Sequence, residues 1–149
     1  MMKIYSIRPG LIQTARTHTL TDDECSNLVK AYGITAVLNL WHTADPRILD
    51  LLRGRGGWYM VNPLPDGRID GDMAERVEYL AGRVVTEMQR GGCVLTHCWG
   101  GRNRSGLISA LALMRLEGIT GKDAIAAVKA VRSGALVNEH FNAYLENRP

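Results

Sequence analysis

Apolar and polar positions along the chain change period repeatedly, from two to about 3.6 and back. Residues 3–7, and Leu11-Ile12-Gln13 after the Pro9-Gly10 turn, read as two short strands. Thr21-Asp22-Asp23-Glu24 has the form of a capping box and opens a helix carrying Leu28, Val29 and Tyr32, which Gly33 ends. Residues 34–40 are an apolar, β-branched run, the pattern of a strand buried on both faces. Asp45-Pro46 starts a helix with Ile48, Leu49, Leu51 and Leu52, and Trp58-Tyr59-Met60-Val61 is the next strand. Residues 73–88 place Val77, Leu80, Val84 and Val85 on one helical face. Val94-Leu95-Thr96 is again strand-like, and residues 107–114 are helical up to Gly118. A helix over residues 121–132 and a short one through Phe141, Tyr144 and Leu145 complete the chain. Strands separated by helices predict a single α/β domain over residues 1–149, with a mostly parallel sheet flanked by helices on both faces. There is no internal repeat, linker or low-complexity tract.

The junction of the last predicted strand with its helix is chemically distinctive. It reads His97-Cys98-Trp99-Gly100-Gly101-Arg102-Asn103-Arg104-Ser105-Gly106. A loop between a strand and a helix can point its backbone N–H groups inward over the positive end of the helix dipole, making a cradle for an anion. The same groups favour a thiolate on a cysteine at the mouth. Arg104 offers a planar fork that matches two oxygens of a phosphate. A phosphate-binding loop with its own nucleophile is the expectation, built from Trp99, Gly100, Gly101, Arg102, Asn103 and Arg104. A Walker loop is excluded, because Leu107 stands where its lysine would have to be.

At these residues the chain resembles the cysteine-dependent protein tyrosine phosphatases, in particular the small dual-specificity branch. The family signature of His-Cys, five residues, Arg, then Ser or Thr is met at His97, Cys98, Arg104 and Ser105, with Gly101 at the loop glycine. The resemblance implies that Cys98 is the nucleophile and that the Ser105 hydroxyl donates to its sulfur and helps it leave in a second step. It also implies that His97 orders the loop by hydrogen bonding. As the first residue of the helix, Ser105 could alternatively act only as a cap. Trp99 and Arg102 project from the loop and could touch substrate. Asn39, at a strand end beside the loop, is a candidate brace.

Such chemistry needs a proton donor for the leaving oxygen. Candidates lie in Asn62-Pro63-Leu64-Pro65-Asp66-Gly67-Arg68-Ile69-Asp70-Gly71-Asp72, a loop at the C-terminal end of a strand, where open α/β sheets place their sites. Asp66 is the choice, since Pro63 and Pro65 stiffen its approach and Gly67 frees the loop; it also resembles the family's general-acid loop. Asp72 is expected to cap the following helix and Asp70 to be solvated. An Asp-Gly turn without chemistry is the competing reading of Asp66.

Composition narrows the partners. A chain of 149 residues with net charge +3 suits an anionic substrate, but the charge is too small to argue for nucleic acid. No apolar run approaches the ~18 residues needed to span a membrane, and residues 1–8 lack an apolar signal core, so a cytoplasmic monomer is expected. Cys25, Cys93 and Cys98 form an unpatterned set, as in a reducing compartment. Five residues along a strand separate Cys93 from Cys98 by about 16 Å, beyond disulfide reach. His18, His42 and His140 have no metal spacing, and neither metal nor organic cofactor is expected. The function implied is hydrolysis of a phosphorylated protein or peptide through a phosphocysteine. RNA 5′-triphosphatase (Asn103 before Arg104 resembles that group), phosphoinositide phosphatase, sulfur transfer and a non-catalytic phosphate-binding module remain open.

Overall fold

A computed structural model describes residues 2–149. Five strands form one sheet: β1 (Tyr5–Arg8), β2 (Leu11–Thr14), β3 (Ala36–Asn39), β4 (Trp58–Val61) and β5 (Val94–His97). Their spatial order is β1-β2-β5-β3-β4. β1 runs antiparallel to β2 through a tight turn, and every other pairing is parallel. Six helices surround the sheet: α1 (Asp22–Tyr32), α2 (Pro46–Leu52), α3 (Gly71–Gln89), α4 (Arg104–Glu117), α5 (Gly121–Val131) and α6 (Glu139–Glu146). The α/β sandwich expected from the sequence is therefore present: β3 is shorter than its apolar run at both ends, β1 starts and ends later than expected, β2 and β5 run one residue further, and β4 matches its run.

Alternation along the strands sorts the core into two halves. Leu11, Ala36, Leu38 and Val94 face one side and pack with α3, α4, α5 and α6. Ile12, Val37 and Leu95 face the other and pack with α1 and α2. α4 is buried along nearly its whole length, Leu107 to Leu113 being fully enclosed, so it is the central helix of its layer.

Helix ends follow the sequence at most points. Thr21 and Glu24 form the reciprocal capping box of α1, and Gly33 closes it in the left-handed conformation. Asp45 caps α2 ahead of Pro46. At α3 the sequence reading is corrected. Asp70, expected to be solvated, is the cap and accepts the Met73 N–H at 2.8 Å, while Asp72 lies inside the first turn. The helix starts two residues earlier than the apolar periodicity suggests because Gly71 and Asp72 carry no apolar signal.

The register fixes where the chemistry sits. Thr14 and Asn39 both pair with His97, and Asn39 pairs with Val61, so four parallel strands end level. The segments that follow them, residues 15–20, 40–45, 62–70 and 98–103, gather along that edge.

Away from it, Glu78 on α3 anchors the C-terminus. It accepts from Arg148 at 2.6 and 2.7 Å, from Tyr144 at 2.5 Å and from Arg115 at 2.7 Å. Burial alone would raise its pKa, but the bonds from Arg148, Tyr144 and Arg115 outweigh burial and bring it to about 2. A carboxylate depressed in the fold stabilises above its unfolded pKa, and the gain disappears as pH falls through the folded value. Glu78→Gln should therefore lower the melting temperature at neutral pH. Its deficit against wild type should shrink between pH 4.5 and about 2, as read by thermal unfolding across that window.

Candidate active site

The segment from Cys98 to Asn103 turns tightly between β5 and α4. Gly101 makes the turn possible: its φ is +65°, and a Cβ there would collide with the Thr14 carbonyl. The turned backbone donates the Gly101 N–H to the Cys98 sulfur at 3.2 Å. The Gly101 carbonyl faces the opposite way and accepts from Gln13 at 2.8 Å and from Arg132. Gln13 is itself fixed by a 3.0 Å bond from the Ser109 hydroxyl on α4. Arg16 holds the other shoulder of the loop. Its backbone N–H and its guanidinium donate to the Trp99 carbonyl at 3.2 and 3.3 Å, and the guanidinium carbon lies 3.4 Å from the indole centroid.

Cys98 is 2% exposed, at the base of this turn. Ser105, in the first turn of α4, donates its hydroxyl to the sulfur at 3.3 Å. It is not the helix cap, and the cap residue Asn103 makes no capping bond with its side chain either. The first turn of α4 thus lies beside the sulfur with its N–H dipole end toward it.

Arg104 opens α4 and donates to the Leu64 carbonyl at 3.3 Å, while its buried Nε has no partner among the described residues. The guanidinium joins the phosphate loop to the 62–70 segment and keeps a donor in reserve. Asp66 lies on that segment. Its carboxylate accepts from Asn103 at 3.1 Å and from Asn138 at 2.8 Å. The sequence candidates Cys98, Gly101, Arg104, Ser105 and Asp66 therefore come together at one place.

Other expectations change. His97 is fully buried on the α1–α2 side, and neither ring nitrogen meets a hydrogen-bond partner among the described residues. The loop group nearest in effect to its ring is the Cys98 backbone, and its own carbonyl takes the Leu40 N–H at 2.8 Å. Burial lowers its pKa from 6.5 to about 4, the Cys98 backbone opposing only in part. Asn39 braces the 40–45 segment through Trp41 N–H and the Thr43 carbonyl at 2.9 and 2.7 Å, rather than the cysteine loop. Arg102 lays its Nε on the Gly134 carbonyl at 3.1 Å, and the Asn103 side chain turns to Asp66 instead of into the cradle. Trp99 does project, 48% exposed, and meets Trp41 edge-on at 5.2 Å. All three cysteines are free thiols. Cys25 belongs to the α1–α2 half-core and Cys98 to the other, so the sheet separates them. Burial raises the pKa of both Cys25 and Cys93.

Gln13, Arg16, Arg132 and Asn138 escaped the sequence reading. A polar Gln13 in an otherwise apolar strand was the one signal available; the others bond across 31 to 83 positions of chain.

A sheet edge bearing a cysteine in an N–H-lined turn, an arginine at the following helix start and a facing carboxylate defines a cysteine-dependent phosphatase domain. Residues 20–148 match the dual specificity phosphatase catalytic domain, and the chain belongs to that family. The fold agrees with solved structures of such proteins. Tk-PTP in its active form superposes with a TM-score of 0.77 at 23% identity, over 98% of this chain and 97% of that one. Human DUSP28 gives 0.76 at 22% identity, over 96% and 90%. The PTP-2 phosphatase of Cydia pomonella gives 0.81 at 21% identity, over 98% and 89%. No curated protein matches the chain by sequence.

The depressed His97 makes the protein acid-sensitive well above the carboxylate range. The unfolded chain binds this proton near pH 6.5 and the native state only near 4, so stability falls as pH drops through that interval, by on the order of 3 kcal/mol. His97→Gln should remove most of this slope, which chemical denaturation at pH 7, 5.5 and 4 would display. An unchanged slope would mean that His97 is not the responsible group.

Proposed function

We propose that the chain hydrolyses phosphomonoesters through a phosphocysteine, with phosphotyrosine in proteins as its leading substrate. The observation that carries this reading is the Cys98 sulfur receiving both the Gly101 N–H and the Ser105 hydroxyl, with Arg104 and Asp66 on adjoining elements.

In the first step Cys98 attacks phosphorus in line. Arg104 and the loop N–H groups hold the equatorial oxygens as charge develops on them. Asp66 protonates the oxygen that departs, leaving phosphate esterified to sulfur. In the second step Asp66, now ionised, takes a proton from water as the water attacks phosphorus, and the Ser105 hydroxyl steadies the departing sulfur. Atoms balance without a metal or organic cofactor. His97 supports the loop from below, as a buried neighbour of the nucleophile.

An aryl ester is favoured by the rim. Trp99, Trp41 and His42 lie together there, with ring centroids 5.2 and 4.1 Å apart, and Arg16 lies over Trp99. This surface suits the edge of a phenol better than a short alkyl chain. Phosphoserine and phosphothreonine remain within reach of the same cradle. One solved relative in fold is PTPMT1 in complex with PI(5)P, at 15% identity, so inositol lipids belong in the same assay panel. Three free thiols suit a reducing, cytoplasmic setting.

The test is a panel of phosphopeptides, RNA 5′-triphosphate and phosphoinositides with wild type and variants. Cys98→Ser should abolish turnover of every substrate yet keep binding tungstate, and substantial residual turnover would exclude Cys98 as nucleophile. Arg104→Lys should lose most activity because a point charge cannot replace a two-pronged donor. Asp66→Ala should lower kcat on phosphotyrosine by about 10²–10⁴ with KM nearly unchanged, and flatten the alkaline limb of the pH–rate profile. Wild-type kcat in that variant would shift the assignment toward the RNA 5′-triphosphatase reading.

A further inference from the structure

The tip of the 62–70 segment is exposed, and its own backbone does little to hold it. Leu64 makes the last backbone-to-backbone bond before Asp70, its N–H reaching the Leu40 carbonyl at 3.2 Å, and its carbonyl receives Arg104. Beyond it, the hydrogen bonds that secure residues 65–69 among the described residues come from two asparagine side chains. Asn103 donates to Asp66 Oδ2 at 3.1 Å, and Asn138 donates to Asp66 Oδ1 at 2.8 Å and to the Gly67 carbonyl at 3.2 Å.

Both amides are oriented by what their oxygens accept. Asn103 Oδ1 takes the Val137 and Asn138 N–H groups at 2.8 and 3.1 Å. Asn138 Oδ1 caps α6, taking the His140 and Phe141 N–H groups at 2.9 and 3.2 Å. A flipped amide would set an NH₂ against two N–H donors, so each NH₂ must face Asp66.

The support behind them is bonded to the phosphate loop. Residues 132–138 lie along the loop as a strap, with the Leu136 N–H on the Arg102 carbonyl at 3.3 Å and Arg102 on the Gly134 carbonyl. Leu136 is fully buried against Gly106 and has φ +53°, the one positive φ outside glycine among the described residues. A leucine stays in that region only when its surroundings over-determine it.

We propose that Asn103 and Asn138 are positioning residues that preset the Asp66 carboxyl at the rim of the phosphate loop before substrate arrives. This rests on the reading of Asp66 as the general acid. Each carboxyl oxygen gives one acceptor site to an amide and keeps another, so the group can be held and still carry the proton that passes to the leaving oxygen. Holding the donor in place removes the orientational cost from each turnover.

Asn103→Asp and Asn138→Asp keep the oxygen that accepts the backbone N–H groups and delete the amide aimed at Asp66. Each is made in wild type and in Asp66→Ala, and assayed on phenyl phosphate and p-nitrophenyl phosphate, with tungstate inhibition reporting the cradle. Expected are a fall in kcat on phenyl phosphate of about 10–100-fold with KM within about two-fold, and a smaller fall with the better leaving group. Tungstate inhibition should be unchanged, and in Asp66→Ala neither substitution should add a further loss, as for groups acting through one another. Equal losses in both backgrounds, or lost tungstate binding, would show that the amides support the loop rather than the acid and would overturn the proposal. Wild-type kcat in both variants would overturn it as well. If Asp66→Ala alone retains full kcat on phenyl phosphate, the acid assignment itself fails and the clamp falls with it, an outcome visible in that single variant.

Discussion

The close approach of Gly101 to β2 is the constraint on which the site depends. One residue serves two purposes there: its N–H reaches the Cys98 sulfur, and its carbonyl is held by Gln13 and Arg132. The positive φ of this residue lets both directions coexist, and the missing side chain lets the turn lie against the Thr14 carbonyl. The cradle is thus set by pressing a loop onto a sheet. The polar residues that take its outward-facing carbonyl are buried Gln13 and partly buried Arg132, where an unbonded carbonyl would be costly.

From that constraint the site spreads outward along the level strand ends. β2 supplies Gln13 and leads to Arg16, β3 leads through Asn39 to Trp41, β4 leads to Asp66, and β5 delivers Cys98 itself. Each contribution is short in sequence and separated from the next by a whole helix. Parallel pairing makes such an assembly possible, because it returns every strand to the same edge. The antiparallel β1 stands outside it and covers the flank of β2.

Much of this was legible in the chain. Alternating strands and helices, the capping box at Thr21, the Asp45-Pro46 start and the glycine stops are local signals written within a few residues, and they were read at nearly their observed places. The cysteine loop was legible for the same reason, since its nucleophile, turn glycine, arginine and serine are contiguous. What stayed hidden depends on distance. Asn138 meets Asp66 across 72 positions, and nothing near either residue announces the pair. The choice between Asp70 and Asp72 as the cap of α3 turned on where a glycine-led first turn begins, which apolar periodicity does not mark. The surroundings of His97 stayed hidden too, because strand alternation sends its ring into the half-core opposite the nucleophile beside it.

That alternation gives the catalytic strand an asymmetry. Cys98 is packed among residues of the α3–α6 layer, whereas His97, one residue earlier, stands with Ile12, Val37 and Leu95 above α1 and α2. The sheet works as a partition, and the pair His97-Cys98 straddles it. The two layers consequently have separate lines to the chemistry: α4 touches the sulfur directly through Ser105, while α1 and α2 reach it only through the floor beneath the strand. Sequence drift in the second layer can alter how firmly the protein is built while leaving untouched the groups that handle phosphate, so durability and reactivity are free to be tuned on opposite sides of one sheet.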